Sequence, residues 1–139
     1  MADNYFPPFL WQAIHIYMKK ILFIEDEQAI QKTFGEFLSG AGYKVFSALD
    51  GELGFNLAKK EKPDLILLDL VLPKSHGLEV LSNLKNNKET KNIPVIILTN
   101  IEGAEEVDRA LELGATAYLV KTAYKLEELL EKVKKIIGE

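Results

Sequence analysis

Five short apolar segments, spread along the chain, constrain the fold more than any other feature of this sequence. They cover residues 21–24, 45–48, 65–68, 95–98 and 117–120. Each is too short for a helix and carries apolar side chains on both faces, which is typical of strands buried in a parallel sheet. The chain is therefore expected to form a sheet that is covered on both sides.

Segments with helical spacing separate these strands and follow the last one. Their apolar residues recur at intervals of three and four, which predicts amphipathic helices. The sets are Ile30, Phe34, Phe37, Leu38 and Ala41; Leu49, Leu53 and Leu57; Leu78, Leu81 and Leu84; Val107, Ala110 and Leu111; and Leu126, Leu129, Leu130, Val133, Ile136 and Ile137. Strand–helix units in series predict a doubly wound α/β domain, with a five-stranded parallel sheet, five helices and right-handed crossovers.

The composition limits the class of protein. A chain of 139 residues is long enough for one domain with its own core. The net charge is −4 with acidic and basic residues interspersed, which argues against a nucleic-acid-binding surface. Cysteine is absent, so disulfides and thiolate metal sites are excluded. No segment approaches the roughly 20 apolar residues that span a membrane.

The first 17 residues differ from the rest of the chain. Residues 5–17 are rich in aromatic side chains and are interrupted by Pro7 and Pro8, and the sequence after them, from Met18, resembles a natural start. We predict that residues 1–17 are an N-terminal extension of unknown role and that residues 18–139 form the domain. The alternative for the extension is a segment that docks on this domain, on a partner or on a membrane surface.

Polar side chains follow four of the five predicted strands. Glu25 and Asp26 follow the first, Asp69 the third, Thr99 the fourth and Lys121 the fifth. Because ligands bind at the carboxyl ends of the strands in open α/β sheets, we expect these groups to meet at one edge. Clustered carboxylates need a counter-charge, which Mg²⁺ supplies, while hydroxyl and ammonium groups suit phosphoryl oxygens.

Each of these residues, taken alone, has a simpler explanation. A single Asp after a strand is more often a helix cap or a turn residue. The acidic run at residues 25–27 is also compatible with a favourable first turn of a helix. Thr99 and Lys121 are compatible with a cap and a solvated side chain. Their joint arrival at matching strand ends is what favours a site for metal and phosphate.

Four stretches carry a family resemblance: ILFIEDE, LILLDLVLPKSHG, PVIILT and LELGATAYLVK. With them, the chain from Lys20 to Gly138 resembles the receiver domain of bacterial two-component response regulators. The resemblance implies a flavodoxin-like fold with strand order 2-1-3-4-5. It also implies a cytoplasmic signalling protein that catalyses only its own aspartyl phosphorylation and dephosphorylation, and is not otherwise an enzyme.

The resemblance assigns the phosphorylation chemistry to particular residues. Asp69 looks like the acceptor of a phosphoryl group from a sensor histidine kinase or a histidine phosphotransfer protein. Glu25 and Asp26 look like the acidic pair that holds Mg²⁺, with Asp69 and the backbone carbonyl of Val71 as the other protein ligands.

The resemblance also assigns the response to phosphorylation. Lys121 looks like the lysine that pairs with the phosphoryl group, Thr99 like the switch hydroxyl and Tyr118 like the aromatic switch that turns inward. The surface from Glu102 to Leu119 is expected to bind a downstream protein target after phosphorylation.

Three departures from the family pattern are expected to matter. Thr122 replaces the usual proline after Lys121, which leaves open whether this peptide bond is cis. Asn100 is bulkier than the usual residue after the switch hydroxyl and is expected to slow phosphotransfer or to bind an oxygen itself. The chain ends at Glu139 with no output domain, so a stand-alone receiver is expected.

The lifetime of a phosphorylated form is expected to depend on two flanking positions. Val71 and Ile101 lie two residues after Asp69 and Thr99, beside the path of a hydrolytic water. Both are apolar and cannot orient that water, so slow self-dephosphorylation is expected.

Three other functions compete with this one. An aspartyl-phosphate phosphatase of the dehalogenase type needs a second Asp where this chain has Val71. A flavin-binding module needs a hydroxyl- and glycine-rich loop where this chain has the acidic residues 25–27. A degenerate receiver that acts as a phosphorylation-independent binding scaffold stays open because of Asn100 and Thr122.

Overall fold

The computed structural model describes residues 7–10, 18–123 and 125–138. Strands and helices alternate in the order β1 (Lys20–Ile24), α1 (Gln28–Gly40), β2 (Lys44–Ala48), α2 (Gly51–Glu61), β3 (Leu65–Leu68), α3 (Gly77–Lys85), β4 (Val95–Thr99), α4 (Ala104–Glu112), β5 (Ala117–Val120) and α5 (Leu126–Ile137). A short 3₁₀ helix at Lys121–Ala123 follows β5. Most of the predicted extension lies outside the described residues.

The strands form one parallel sheet in the order β2-β1-β3-β4-β5. The predicted doubly wound sheet, its strand order and the five helices between and after its strands are therefore confirmed. The observed strands differ from the predicted segments by one residue at most, at the starts of β1 and β2 and at the end of β4. Among the described residues, no helix combines the length and the apolar character that crossing a membrane requires.

Alternate strand residues point to opposite faces of the sheet and build two cores. One core joins strand residues such as Ile24 and Leu68 to buried residues of α2, α3 and α4. The other joins Phe23 and Leu67 to buried residues of α1 and α5. Because both faces are covered, the central strands are buried along their whole length, which explains why their sequences show no polar alternation.

Helix α2 lies where the leucine repeat predicts it and Leu57 packs partly against the core, but the fully buried face consists of other residues. Leu49 precedes the helix and Leu53 is 45% exposed, whereas Gly51, Gly54 and Ala58 are buried. A Cβ atom on Gly54 would lie 2.5 Å from Ile24 Cδ1. The helix therefore approaches β1 too closely for a leucine, and its small residues face the sheet.

Side-chain caps begin two of the helices at the carboxyl edge of the sheet. The Asp50 carboxylate accepts a hydrogen bond from the Leu53 N–H at 2.8 Å, and His76 Nδ1 accepts one from the Leu78 N–H at 3.1 Å. Asp50 thus has the capping role that is usual for an Asp after a strand.

Candidate functional site

The first and third strands bring two carboxylates to neighbouring positions at the edge of the sheet. Ile24 pairs with Leu68 at the end of these strands, and the Asp69 N–H donates a hydrogen bond to the Ile24 carbonyl at 3.0 Å. Glu25 and Asp69 each follow their strand by one residue. Glu25 has no exposed surface and Asp69 is 5% exposed.

Lys121, directly after β5, reaches between these two carboxylates. Its Nζ donates hydrogen bonds to Glu25 Oε1 and, at 3.1 Å, to Asp69 Oδ2. The Lys121 side chain is itself only 8% exposed. Residues from three strand ends therefore meet at one edge, where the sequence analysis expects them, and there they form a buried ion-pair cluster.

Burial and charge shift the pKa values inside this cluster. Burial raises the pKa of Glu25 to about 7, with a further rise from the Asp69 charge, against the opposing effect of the Lys121 hydrogen bond. Burial lowers the pKa of Lys121, but the Glu25 hydrogen bond and the Asp69 charge outweigh this and leave the pKa raised. The ammonium is therefore held in its charged form by the carboxylates that it joins.

The carboxylates of Glu25, Asp26 and Asp69 also form a cluster suited to a metal ion. Each offers an oxygen atom, and these atoms lie within 4.8 Å of one another. Their donor set consists of hard oxygen atoms, and the single Lys121 charge does not balance three carboxylates. Asp26 is exposed, so an ion held here would keep contact with water. The residues present therefore fit Mg²⁺.

The loop after Asp69 is held close to the end of β3. The Val71 N–H donates to Asp69 Oδ1 at 3.2 Å, and the Gly77 N–H donates to the Leu70 carbonyl at 2.9 Å. A Cβ atom on Gly77 would lie 2.4 Å from the Asp69 carbonyl oxygen. Glycine is thus required where α3 begins against the backbone of the acidic residue.

Thr99 and Tyr118 occupy adjacent strands beside this cluster. Thr99 ends β4, is fully buried and pairs with Val120, the residue before Lys121. Its Oγ1 lies 3.5 Å from the Ile101 nitrogen, whose N–H donates to it. The Tyr118 hydroxyl donates to the Ile101 carbonyl at 2.8 Å, so both side chains contact the backbone of the same loop residue.

The environment of Tyr118 is partly apolar and negative. Burial raises the pKa of its hydroxyl, and the charges of Glu106 and Asp69 raise it further. The hydroxyl therefore stays protonated and remains a donor to the loop before α4.

The residues that depart from the family pattern also lie around this edge. No cis peptide bond occurs among the described residues, so the Lys121–Thr122 bond is trans. Asn100 is exposed, and Val71 is 59% exposed. Asn100 follows Thr99 and Val71 lies two residues after Asp69, so both stand at the carboxyl edge of the sheet.

Gln31 is a buried polar residue that the sequence analysis did not identify. It lies on α1 and is only 7% exposed, and its side-chain amide contacts the ends of β1 and β2. The sequence does contain a signal for this position. Gln31 lies three residues before Phe34 and seven before Leu38, and this spacing predicts that it shares their buried helix face.

Comparison with known families gives a match over most of the chain. The family model of the response regulator receiver domain matches residues 21–134. This range includes the five strands except for Lys20, the first residue of β1, together with all the candidate site residues and most of α5.

Individual proteins give the same result. The chain is 31% identical to the polar-differentiation response regulator DivK of Brucella anthropi, over 87% of this chain and 98% of that protein. It is 38% identical to the DNA-binding dual master transcriptional regulator RpaA of Synechocystis, over 86% of this chain and 49% of RpaA. The chain spans about half the length of RpaA and of other transcriptional regulators that it matches.

A solved structure shares the fold over nearly its whole length. The Vibrio cholerae chemotaxis protein CheY4 superposes with a TM-score of 0.80 and 29% sequence identity, covering 86% of this chain and 98% of CheY4.

Proposed function

This chain belongs to the response regulator receiver family of two-component systems, and we propose that it accepts a phosphoryl group on Asp69 in a Mg²⁺-dependent reaction. The donor is a sensor histidine kinase or a histidine phosphotransfer protein, and the reaction takes place in the cytoplasm. The receiver catalyses its own phosphorylation and dephosphorylation and has no other turnover substrate.

The observation that carries this proposal is the position of Asp69. Its carboxylate is hydrogen-bonded to the Lys121 ammonium and lies within 4.8 Å of the Glu25 and Asp26 oxygens. It keeps a small exposed fraction of 5%, whereas Glu25 has none. Of the two buried carboxylates, Asp69 is therefore the one open to a donor.

In the proposed reaction a carboxylate oxygen of Asp69 attacks the phosphorus of a phosphohistidine. The new O–P bond forms as the N–P bond breaks, and the imidazole nitrogen keeps the electron pair of the broken bond. Phosphoryl transfer needs mainly positioning and neutralisation of charge. Lys121 would pair with the transferred oxygens, and Mg²⁺ would be held by Glu25, Asp26, Asp69 and the Val71 carbonyl and would supply further positive charge.

Phosphorylation would then act on the neighbouring strands. The new dianionic group can accept a hydrogen bond from the Thr99 O–H, and turning the side chain toward it would lengthen the weak bond that the Thr99 oxygen accepts from the Ile101 N–H. Because Tyr118 also bonds to Ile101, a shift of this loop changes the surface between Glu102 and Leu119. We propose that this surface binds the downstream protein target.

The test is intact-mass analysis after incubation with acetyl phosphate, with and without Mg²⁺. Wild type is expected to gain the mass of one phosphoryl group only with Mg²⁺, and Asp69→Asn is expected to gain none. Asp64→Asn is the matched control, since Asp64 lies at the opposite end of β3 and bonds the Lys20 N–H at 2.8 Å. It should be phosphorylated as wild type is.

A wild-type protein that gains no phosphoryl group would contradict the proposal. It would favour the alternative function, a degenerate receiver that binds partners without phosphorylation. Asn100→Ala would then show whether the side chain beside the site had blocked the donor.

A further inference from the structure

Gln31 of α1 makes an unusual set of contacts with the ends of two strands. Its Nε2 donates hydrogen bonds to the carbonyls of Phe23 at 2.8 Å, Glu25 at 3.0 Å and Ala48 at 3.1 Å. Phe23 lies near the end of β1, Glu25 directly follows that strand, and Ala48 ends β2. One amide thus joins α1 to the carboxyl ends of both strands.

These contacts fix the backbone of Glu25 on both sides. The Glu25 N–H donates to the Ala48 carbonyl at 2.9 Å, and the Glu25 carbonyl accepts from Gln31. The Ala48 carbonyl therefore accepts hydrogen bonds from both the Glu25 N–H and the Gln31 amide. As a result the acidic loop has little freedom to move away from β2 or from α1.

The hydrogen-bonding groups of the Gln31 side-chain amide are not all satisfied. Nε2 has two hydrogens for three carbonyls, and the other amide atom, Oε1, is buried without a hydrogen-bond partner among the described residues. Rotating the amide would place Oε1 against three carbonyl oxygens, so the observed orientation is the favourable one. Leaving the buried Oε1 atom without a partner costs free energy. The Gln31 side chain therefore stabilises the site through its donors and not through Oε1.

We infer that Gln31 is a positioning residue for the metal site, which it serves by holding the backbone of Glu25 so that the carboxylates of Glu25 and Asp26 face Asp69. This inference rests on the proposed Mg²⁺-dependent function. The hydrogen bonds of Gln31 go to backbone carbonyls, so it would act through the peptide group of Glu25 rather than through a carboxylate. Partners of this kind orient the ligating groups and thereby set the affinity of the site.

The test measures Mg²⁺ affinity directly, by titration calorimetry on the full chain. Gln31→Met keeps the length and shape of the side chain and removes its donors. We expect its Mg²⁺ dissociation constant to rise by about tenfold, the usual scale for loss of a group that orients metal ligands. Gln28→Met is the matched control, because Gln28 lies three residues earlier on the same helix and is exposed. It should bind Mg²⁺ as wild type does.

A second variant and a second measurement separate positioning from folding. Gln31→Asn keeps the amide but shortens the side chain, so it should weaken Mg²⁺ binding even if Gln31→Met does not fold. Urea unfolding in EDTA gives the stability of each variant. Phosphorylation by acetyl phosphate should be slowed at limiting Mg²⁺ and restored at saturating Mg²⁺, which a general loss of stability would not produce.

The outcomes are distinct. Weaker Mg²⁺ binding in the folded Gln31 variants, with Gln28→Met unchanged, supports the inference. Wild-type affinity in those variants overturns it and leaves Gln31 a packing residue, while the proposed function stands. Failure of the wild-type protein itself to bind Mg²⁺ overturns both.

Discussion

Replacing Lys121 with Met tests how much the buried ion-pair cluster depends on its single cation. Lys121 donates to Glu25 and Asp69, and the side chains of these three residues are at most 8% exposed. Met is close in length to Lys and is apolar, so the substitution removes the charge with a small change in packing. Two buried carboxylates would then face each other without the ammonium.

The expected cost follows from this burial. Breaking a buried ion pair by removing one partner costs roughly 3–5 kcal/mol, because the remaining charge is uncompensated. A proton on Glu25 would reduce the cost, since burial already raises its pKa to about 7. Loss of the Lys121 hydrogen bond would raise this pKa further, so the cost should grow as the pH rises and Glu25 has to ionise without a counter-charge.

The assay is urea unfolding followed by circular dichroism, in EDTA and in Mg²⁺. Lys74→Met is the control: its side chain is 70% exposed and lies 3.6 Å from the Asp50 carboxylate. An exposed pair of this kind contributes only about 0–1 kcal/mol. Mg²⁺ supplies the missing positive charge, so it should stabilise Lys121→Met more than it stabilises wild type.

Two results would refute this reasoning. If Lys121→Met lost no more stability in EDTA than Lys74→Met, the buried pair would have no net role in stability. If Mg²⁺ stabilised wild type and Lys121→Met equally, the ion and Lys121 would not act on the same carboxylates.

Three further predictions concern the cap of α2, the packing of α2 and the lifetime of the phosphorylated form. Asp50→Ala should lower the free energy of unfolding by about 1 kcal/mol in urea unfolding. Because the hydrogen bond that it accepts lowers the pKa of Asp50, this difference should shrink as the pH falls through the lowered value. Gly54→Ala should cost about 1–3 kcal/mol in the same assay, since the added Cβ would lie 2.5 Å from Ile24 Cδ1; an unchanged midpoint would mean that the helix shifts freely. Val71→Asn combined with Ile101→Glu should speed phosphate loss by up to roughly a hundredfold, timed by intact mass, because polar side chains can orient a hydrolytic water; no acceleration would contradict the role given to these positions.

The sheet and most of the candidate site could be predicted because both depend on local features of the sequence. A strand buried on both faces has to be apolar at consecutive positions, which made β3 and β4 visible without any knowledge of their neighbours. The edge strands β2 and β5 have apolar segments too, although they are only partly buried. The convergence of Glu25, Asp69 and Lys121 then followed from topology, since parallel strands end at the same edge.

The faces of the helices were harder to predict, because they depend on distances between elements. The leucine repeat around Leu53 has helical spacing, yet the buried face of α2 consists of Gly51, Gly54 and Ala58. No local pattern states how closely a helix will approach the sheet. That distance depends on the side chains of the strand beneath it, here Ile24.

By itself, the sequence determined the order of strands and helices, the family, and which residues could supply the chemistry. Only the tertiary structure decided how these residues share the site: Glu25 is fully buried while Asp26 is exposed, and Tyr118 bonds the loop after Thr99. It also decided that Gln31 holds the first acidic residue in place. Periodicity along a chain predicts which segments form helices and strands, whereas hydrogen bonds between distant residues exist only after the crossovers have brought the strand ends together.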